Sequence, residues 1–498
     1  MLIGIDIGQG AAKVTALDQD GRILGLVSED YPTAHPAPGW SEQNPQDWID
    51  AVGRACHRLL TGAVPMGGRT PVEGVGLTSA THHAVLLDGM NRPLRRCITL
   101  TDSRASDQAA RLAAAHGPLI MERARNAVTA GWTLPQLLWI AEEEPDIWTR
   151  TARLAFAKDY LRLALTGCWA TDTIDAEGSL LFNTAERAWD PILCRLVPIP
   201  RHWLPPTYAP TDVTGKITRE GEALTGIPTG TPVIAGCSDT AAEAVAAGAC
   251  ADGEAVIKLA TAGNVNVVTR SPHPHPHWFT YSHPIPSLSY HALGTNSAAS
   301  SQRWFRDVLD SGSTVLGYTD LEREAMTVPP GSGGVLFHPY LLGERAPYWD
   351  PDLRASFIGL SALHERGHLL RAIMEGVALS LADCLDVFRS HDIAIARARI
   401  IGGGARSVLW RTIVADVLGL PLTYPTLSDA SAGAALLAGV GVGVYTSPEQ
   451  AVERTVQIVT DHVPDPRRHA GYAQLLDVYR EVQRRLAPID RALSTVTF

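Results

Sequence analysis

Apolar runs and helical periodicities alternate along the chain. Leu2–Ile7 is a short apolar run, Gly8-Gln9-Gly10-Ala11 forms a small-residue turn, and Lys13–Leu17 continues as a second strand. Asp20-Gly21 marks a hairpin turn into Ile23–Val27. From Pro45 to Leu60 the spacing of Trp48, Ile49, Val52, Cys56 and Leu59 predicts a helix. Val72–Thr78 and Ala84–Leu87 read as strands around the turn Ser79-Ala80-Thr81-His82-His83, and Arg96–Thr101 as a further strand. Helices are expected over Ser103–Ala115 and Pro135–Glu143, while the proline-rich stretch 198–211 reads as a loop.

The second half opens in the same way. Val233–Gly236 leads into Cys237-Ser238-Asp239 and an alanine-rich helix that ends near Ala249. Glu254–Leu259, the turn Ala260-Thr261-Ala262-Gly263 and Asn264–Val268 then repeat the strand–turn–strand of the N-terminus, which suggests a duplicated α/β architecture with a boundary near 245–255. Farther on come a helix over Arg371–Phe388, a strand Ala398–Ile401 running into Gly402-Gly403-Gly404-Ala405, and a helix Val408–Leu418. A flat ligand can lie on bare backbone at such glycines. Asp429–Gly441 reads as a small-residue helix suited to close packing.

At 498 residues, with 45% hydrophobic and 19% charged residues, the chain is long enough for two or three domains with real cores. A net charge of −10 argues against general binding to nucleic acid or anionic membranes. Seven scattered cysteines without a CxxC pair suggest neither a disulfide framework nor a zinc site. No apolar run reaches the length of a membrane span, and the N-terminus has no signal-peptide pattern, so a cytoplasmic protein is expected.

Candidate chemistry gathers at strand ends. Asp6 stands beside the glycine turn, whose amides can cradle phosphate while the carboxylate holds a magnesium ion through water; the plainer reading is an ordinary turn aspartate. Neither a Walker A sequence nor a full dinucleotide fingerprint is present, which argues against a P-loop and against an NAD-dependent oxidoreductase. Asp239 reads either as a helix N-cap or as a general base facing a cleft between the halves. His82, His83, Asp102 and Arg104 can form a polar pocket for hydroxyls. The run His273-Pro-His275-Pro-His277 is read as a solvated loop rather than a metal site.

These pieces, in this order, resemble the FGGY family of carbohydrate kinases over residues 1–488, and within it the members that phosphorylate D-xylulose. Ala355–Glu375 is similar to the family's second signature, and Gly131–Glu143 to its first, with Gln136 where lysine is usual. Trp40–Pro45, Lys158-Asp159-Tyr160, Gly343-Glu344-Arg345 and Ile401–Arg406 fit as well. The resemblance implies two actin/hexokinase-like (ribonuclease H-like) α/β domains around a central cleft. Residues 1–248 would bind sugar and hold the first phosphate hairpin, and 249–498 would bind ATP.

It also implies Asp239 as catalytic base, and Asp6 with Asp239 at Mg2+. Gly8, Gln9, Gly10, Thr261, Ala262 and Gly263 would form the phosphate hairpins, with Gly403, Gly404 and Ala405 at adenine. Thr81, His82, Asp102, Arg104 and Asp239 would meet the sugar. The implied reaction makes D-xylulose 5-phosphate, and a homodimer is one assembly the family implies. Departures at Ser79–His83, Thr101–Arg104 and Ser238–Thr240 leave gluconate, 1-deoxy-D-xylulose, ribulose or a polyol as alternative substrates. A binding protein without activity would be signalled by loss of Asp239 or of both hairpins, and all are present.

Overall fold

The computed structural model describes residues 1–63, 71–309 and 317–495. The chain forms two compact units. The first comprises 1–250, 270–290 and 427–456; the second comprises 251–269, 291–426 and 457–498. The division is therefore not one cut of the chain near residue 248, because two later segments return to the first unit.

The first unit is built on a seven-stranded sheet. Its main path runs Val213–Lys216, Pro232–Ile234, Gly74–Ser79, Leu2–Ile7, Ala11–Leu17, Ile23–Asp30, and Cys237–Ser238 also pairs with Gly74–Ser79. Leu2–Ile7 lies antiparallel to Ala11–Leu17 and parallel to Gly74–Ser79. Successive side chains alternate between the faces of a strand. Ile3, Ile5 and Ile7 enter a core with Val75, Leu77, Trp48 and Val52, the last two from helix Pro45–Arg58. The opposite face, with Gly4 and Asp6, meets helix Ala430–Gly441. There the chains approach so closely that a Cβ on Gly4 would lie 1.7 Å from the Ser431 carbonyl, and one on Gly76 1.9 Å from that of Ala434. Only glycine on the strands and small residues on the helix allow this contact, which is why residues 427–456 belong to the first unit.

The second unit repeats the motif. Glu254–Leu259 pairs antiparallel with Gly263–Thr269 and parallel with Arg397–Ile401, and Leu422–Pro425 and Ile458–His462 follow outward. Helices Arg366–Arg389, Val408–Leu418 and Pro466–Ser494 belong to this unit.

Several local expectations shift. The helix expected over Ser103–Ala115 runs Ser106–Ala124. The strand expected over Arg96–Thr101 shrinks to Cys97–Ile98, which pairs with Glu42–Gln43. The stretch 198–211 contains a short 3-10 turn at Arg201–Trp203 and a two-residue strand, Thr207–Tyr208, on Thr171–Asp172. All seven cysteines are free thiols. No helix among the described residues is long and apolar enough to cross a membrane.

Candidate functional site

The carboxyl edge of the first sheet gathers the acidic residues. Asp6 is level with Thr78 of the central strand, and on that strand's other side Cys237 and Ser238 are level with Thr78 and Ser79. Asp6 and Asp239 therefore issue from strands flanking the same two residues, where α/β sheets present their ligands. Asp239 opens the helix Asp239–Ala247, but the cap is Ser238, whose hydroxyl accepts from the Ala241 amide. The half-buried Asp239 is left in the first turn, its Oδ1 accepting from the Thr240 amide at 2.6 Å.

Asp6 is buried and its Oδ1 has no hydrogen-bond partner. Burial, together with the negative charges of Asp429 and Asp239, holds its carboxyl well above the ordinary value. Asp429 caps the glycine-facing helix and pairs with Lys13 at 2.8 Å. Two carboxylates at one sheet edge, issuing from strands flanking Gly74–Ser79, one with an unsatisfied buried oxygen, fit a divalent cation that completes its shell with phosphate and water. Among the described residues no group of three or more His, Cys, Asp or Glu is arranged to hold a metal alone.

The turn after the central strand carries Thr81 and His82. His82 adopts a left-handed backbone, φ 70°, uncommon for a residue with a side chain. Its Nδ1 lies 2.6 Å from the Gly178 carbonyl and must therefore carry the proton, so Nε2 is an acceptor, 3.3 Å from the Tyr281 hydroxyl. Burial pushes the imidazole down to about 4, so it is neutral near pH 7. The ring lies against Trp132, centroids 4.2 Å apart, and Trp132 stacks on Tyr281. Thr81 is half-buried in the same turn. His83 points elsewhere. It stacks on Trp48, burial pushes it down to about 3, and both ring nitrogens lack partners.

Asp102 and Arg104 come together as a buried pair. Arg104 donates Nε at 2.9 Å and Nη2 at 2.7 Å to the two oxygens of Asp102, gives Nη1 to Glu42, and lies 3.7 Å over Trp40. Helix Thr133–Glu143 links this pair to His82: the Thr133 hydroxyl donates to the His82 carbonyl, while Gln136 donates to that of Thr99. Beneath the same edge, Lys158 meets Asp159, Asp172 and Asp175 within 2.9 Å, all fully or almost fully buried. Arg162 joins Asp159 and donates to the Ala235 carbonyl, fixing the chain just before Gly236 and Asp239. Burial raises Asp175 to about 8, so this network carries less negative charge than its formal count.

Trp132, Tyr281 and the Lys158 network had no site role in the sequence reading. Gly131–Glu143 and Lys158–Tyr160 stood out only as motifs, and nothing in the sequence marked Tyr281, 199 residues from His82. The segment His273–His277 is largely exposed, as a solvated loop would be, with His275 stacked on Trp278, whose indole donates to the His273 carbonyl.

The second unit holds a cavity of about 480 Å3 lined by Thr261, Arg303, Glu322, Gly403, Gly404 and Ser407, among others. Gly402 has φ 94°, and a Cβ there would lie 2.6 Å from the Leu259 carbonyl, whereas one on Gly403 would meet nothing within 4 Å. The floor is therefore open backbone, with Ala405 buried behind it. Glu322 accepts from the Ser407 hydroxyl and the Leu409 amide at the start of helix Val408–Leu418. At the hairpin end, Arg303 donates to the Thr261 hydroxyl and the Gly263 amide donates to Thr295. The exposed Thr261 and half-buried Ala262 form the tip. Open backbone at one end and an arginine at the other suit a nucleotide.

Two duplicated α/β units, one edged with carboxylates and one holding a nucleotide-sized cavity, have the construction of a phosphotransferase. Models of the N-terminal and C-terminal domains of the FGGY family of carbohydrate kinases match residues 1–246 and 255–442, and the chain belongs to that family. It is a carbohydrate kinase, a phosphotransferase with an alcohol acceptor and ATP as donor. It is 32% identical to a xylulose kinase of Escherichia coli over 98% of this chain and 100% of that one. The crystal structure of xylulose kinase from Rhodospirillum rubrum superposes with a TM-score of 0.88 at 29% identity, covering 98% of this chain and 99% of the other. A gluconokinase of Bacillus subtilis is 27% identical over 97% of this chain and 96% of its own. The fold is thus of the actin/hexokinase-like type.

Proposed function

We propose that the protein transfers the γ-phosphoryl group of ATP to O5 of D-xylulose, with Asp239 as the general base. The observation that carries this reading is the placement of Asp6 and Asp239 on either side of the end of one central strand, with His82 on the turn that strand leads into. As the hydroxyl attacks, the O5–P bond forms, the bond from phosphorus to the bridging oxygen of ADP breaks, and the hydroxyl proton passes to the Asp239 carboxylate. Asp6 and Asp239 would hold Mg2+, which neutralises phosphate charge when bound. The amides of Gly8–Gly10 and Thr261–Gly263 are suited to phosphate oxygens, and Gly403–Ala405 to adenine.

On the sugar side, the neutral His82 and the Tyr281 hydroxyl that faces its Nε2 offer an acceptor and a hydroxyl to the ketose, with Thr81 beside His82 in the turn. Asp102 and Arg104 act on the pocket as a pair, because their charges are spent on each other and on Glu42. That balance favours a neutral ketose over an anion. A second reading, D-gluconate, draws on the gluconokinase likeness. ADP release should be measured across D-xylulose, 1-deoxy-D-xylulose, D-ribulose, L-ribulose, D-gluconate and glycerol. D-Xylulose is expected to give the highest kcat/KM; turnover of gluconate with silence on D-xylulose would replace this reading with the second.

A further inference from the structure

The first hairpin tip is held in an unusual way. Three consecutive carbonyls, those of Gly8, Gln9 and Gly10, are each engaged by a donor from elsewhere in the first unit. The Tyr31 hydroxyl donates to Gly8, the Gln43 amide nitrogen donates to Gln9 at 2.6 Å, and the Tyr31 backbone amide donates to Gly10 at 3.1 Å. Gln43 is itself fixed: the buried Trp48 indole donates to its Oε1 at 3.0 Å, and its Nε2 also reaches the Thr33 hydroxyl at 2.8 Å. Tyr31, Gln43 and Trp48 are all buried, whereas Gln9 and Gly10 are exposed.

A trans peptide sets the N–H of one residue opposite the C=O of the residue before it. Anchoring the carbonyls of Gly8 and Gln9 inward therefore turns the amides of Gln9 and Gly10 outward. Those two amides make no backbone hydrogen bond among the described residues, and a Cβ on Gly10 would meet nothing within 4 Å. Successive outward amides over open space make an anion cradle.

We propose that Tyr31 and Gln43 are positioning residues that hold this hairpin with its amides presented to the terminal phosphate of ATP. Neither touches the nucleotide; each acts through a carbonyl of the tip. The proposal rests on the reading of Gly8–Gly10 as a phosphate hairpin, so the experiment separates the two.

Tyr31→Phe, Gln43→Met and Gly10→Val are made in the full-length protein. Affinities for the β,γ-imido analogue of ATP and for ADP are measured in the presence of Mg2+, with the KM for sugar and the unfolding temperature alongside. Tyr31→Phe and Gln43→Met are each expected to weaken the analogue by about tenfold, the size of one hydrogen bond to a charged group, while ADP and sugar are unaffected. If Gly10→Val weakens the analogue but the other two do not, the positioning role is overturned. Should Gly10→Val also leave the analogue unchanged, the phosphate reading itself falls. Equal losses for analogue, ADP and sugar would mark the two residues as merely structural. Tyr31→Phe removes one oxygen only, so it decides the matter even if Gln43→Met does not fold.

Discussion

The hairpins that open the two units share a plan, and their tips are secured in different proportions by backbone and side chain. In both, an antiparallel pair lies beside a parallel strand: Leu2–Ile7 with Ala11–Leu17 and Gly74–Ser79, then Glu254–Leu259 with Gly263–Thr269 and Arg397–Ile401. Side chains help to hold the first tip, through the Tyr31 hydroxyl and Gln43. In the second, both carbonyls engaged at the tip take backbone amides, and the side chains of Ser300, Arg303 and Thr295 add to them. Ala298 and Ser300 donate their amides to the Thr261 carbonyl, and Ala299 donates to that of Ala260. A brace made of main chain is indifferent to the side chains that carry it. The first hairpin, beside Asp6, should therefore be more sensitive to single substitutions than the second.

The largest contrast is expected at the edge of the first sheet itself. Asp239→Ala should lower kcat by at least about 100-fold, the usual order for lost general-base catalysis, while nucleotide affinity in calorimetry stays near the wild-type value. Unchanged turnover would remove the chemistry from that edge and leave the two units alike in role.

A smaller effect belongs to His83, packed behind the same turn. Its imidazole is held down to about 3, against an ordinary 6.5, so it binds fewer protons folded than unfolded. Its contribution is intact above pH 6.5 and is lost as pH falls from there towards 3. His83→Phe keeps a flat ring against Trp48 and removes two unpartnered nitrogens. It should raise stability by about 1 kcal/mol at pH 7 and by roughly 2 kcal/mol more at pH 5, read from denaturant unfolding at both pH values. A gap that does not widen on acidification would mean that the ring finds a proton partner in the folded protein.

The smallest effect is expected at the second hairpin. Thr295→Val removes the acceptor of the Gly263 amide but leaves the Ala298–Ser300 brace untouched. Affinity for the ATP analogue should change by no more than about twofold, less than the loss of one ordinary hydrogen bond. A tenfold loss would show that both tips depend on side chains and would dissolve the contrast.

Much of the scaffold was legible in the chain. The helix Val408–Leu418 and the strand Ala84–Leu87 appear where periodicity put them, and both hairpins follow their small-residue turns. Of the two readings of Asp239, the helix cap fails, because Ser238 caps helix Asp239–Ala247. Ser238, not Asp239, has the extended backbone a cap requires, and strand pairing decides that conformation. The strand-end and turn positions of Asp6, His82 and Asp239 are legible because strand ends and turns are local features. The bidentate pairing of Asp102 with Arg104 is not, since the sequence places both in one polar pocket without showing that they bind each other.

The α/β class, the duplicated hairpins and the family can be read from the chain alone, because they depend on short-range periodicity and contiguous motifs. Folding in three dimensions brings residues 427–456 back to the first unit and Tyr281 to His82. It also makes Tyr31 and Gln43 grip one turn. Such contacts join residues far apart in the chain, and what selects them is the closeness of packing, such as glycine strands against a small-residue helix, which no local pattern records.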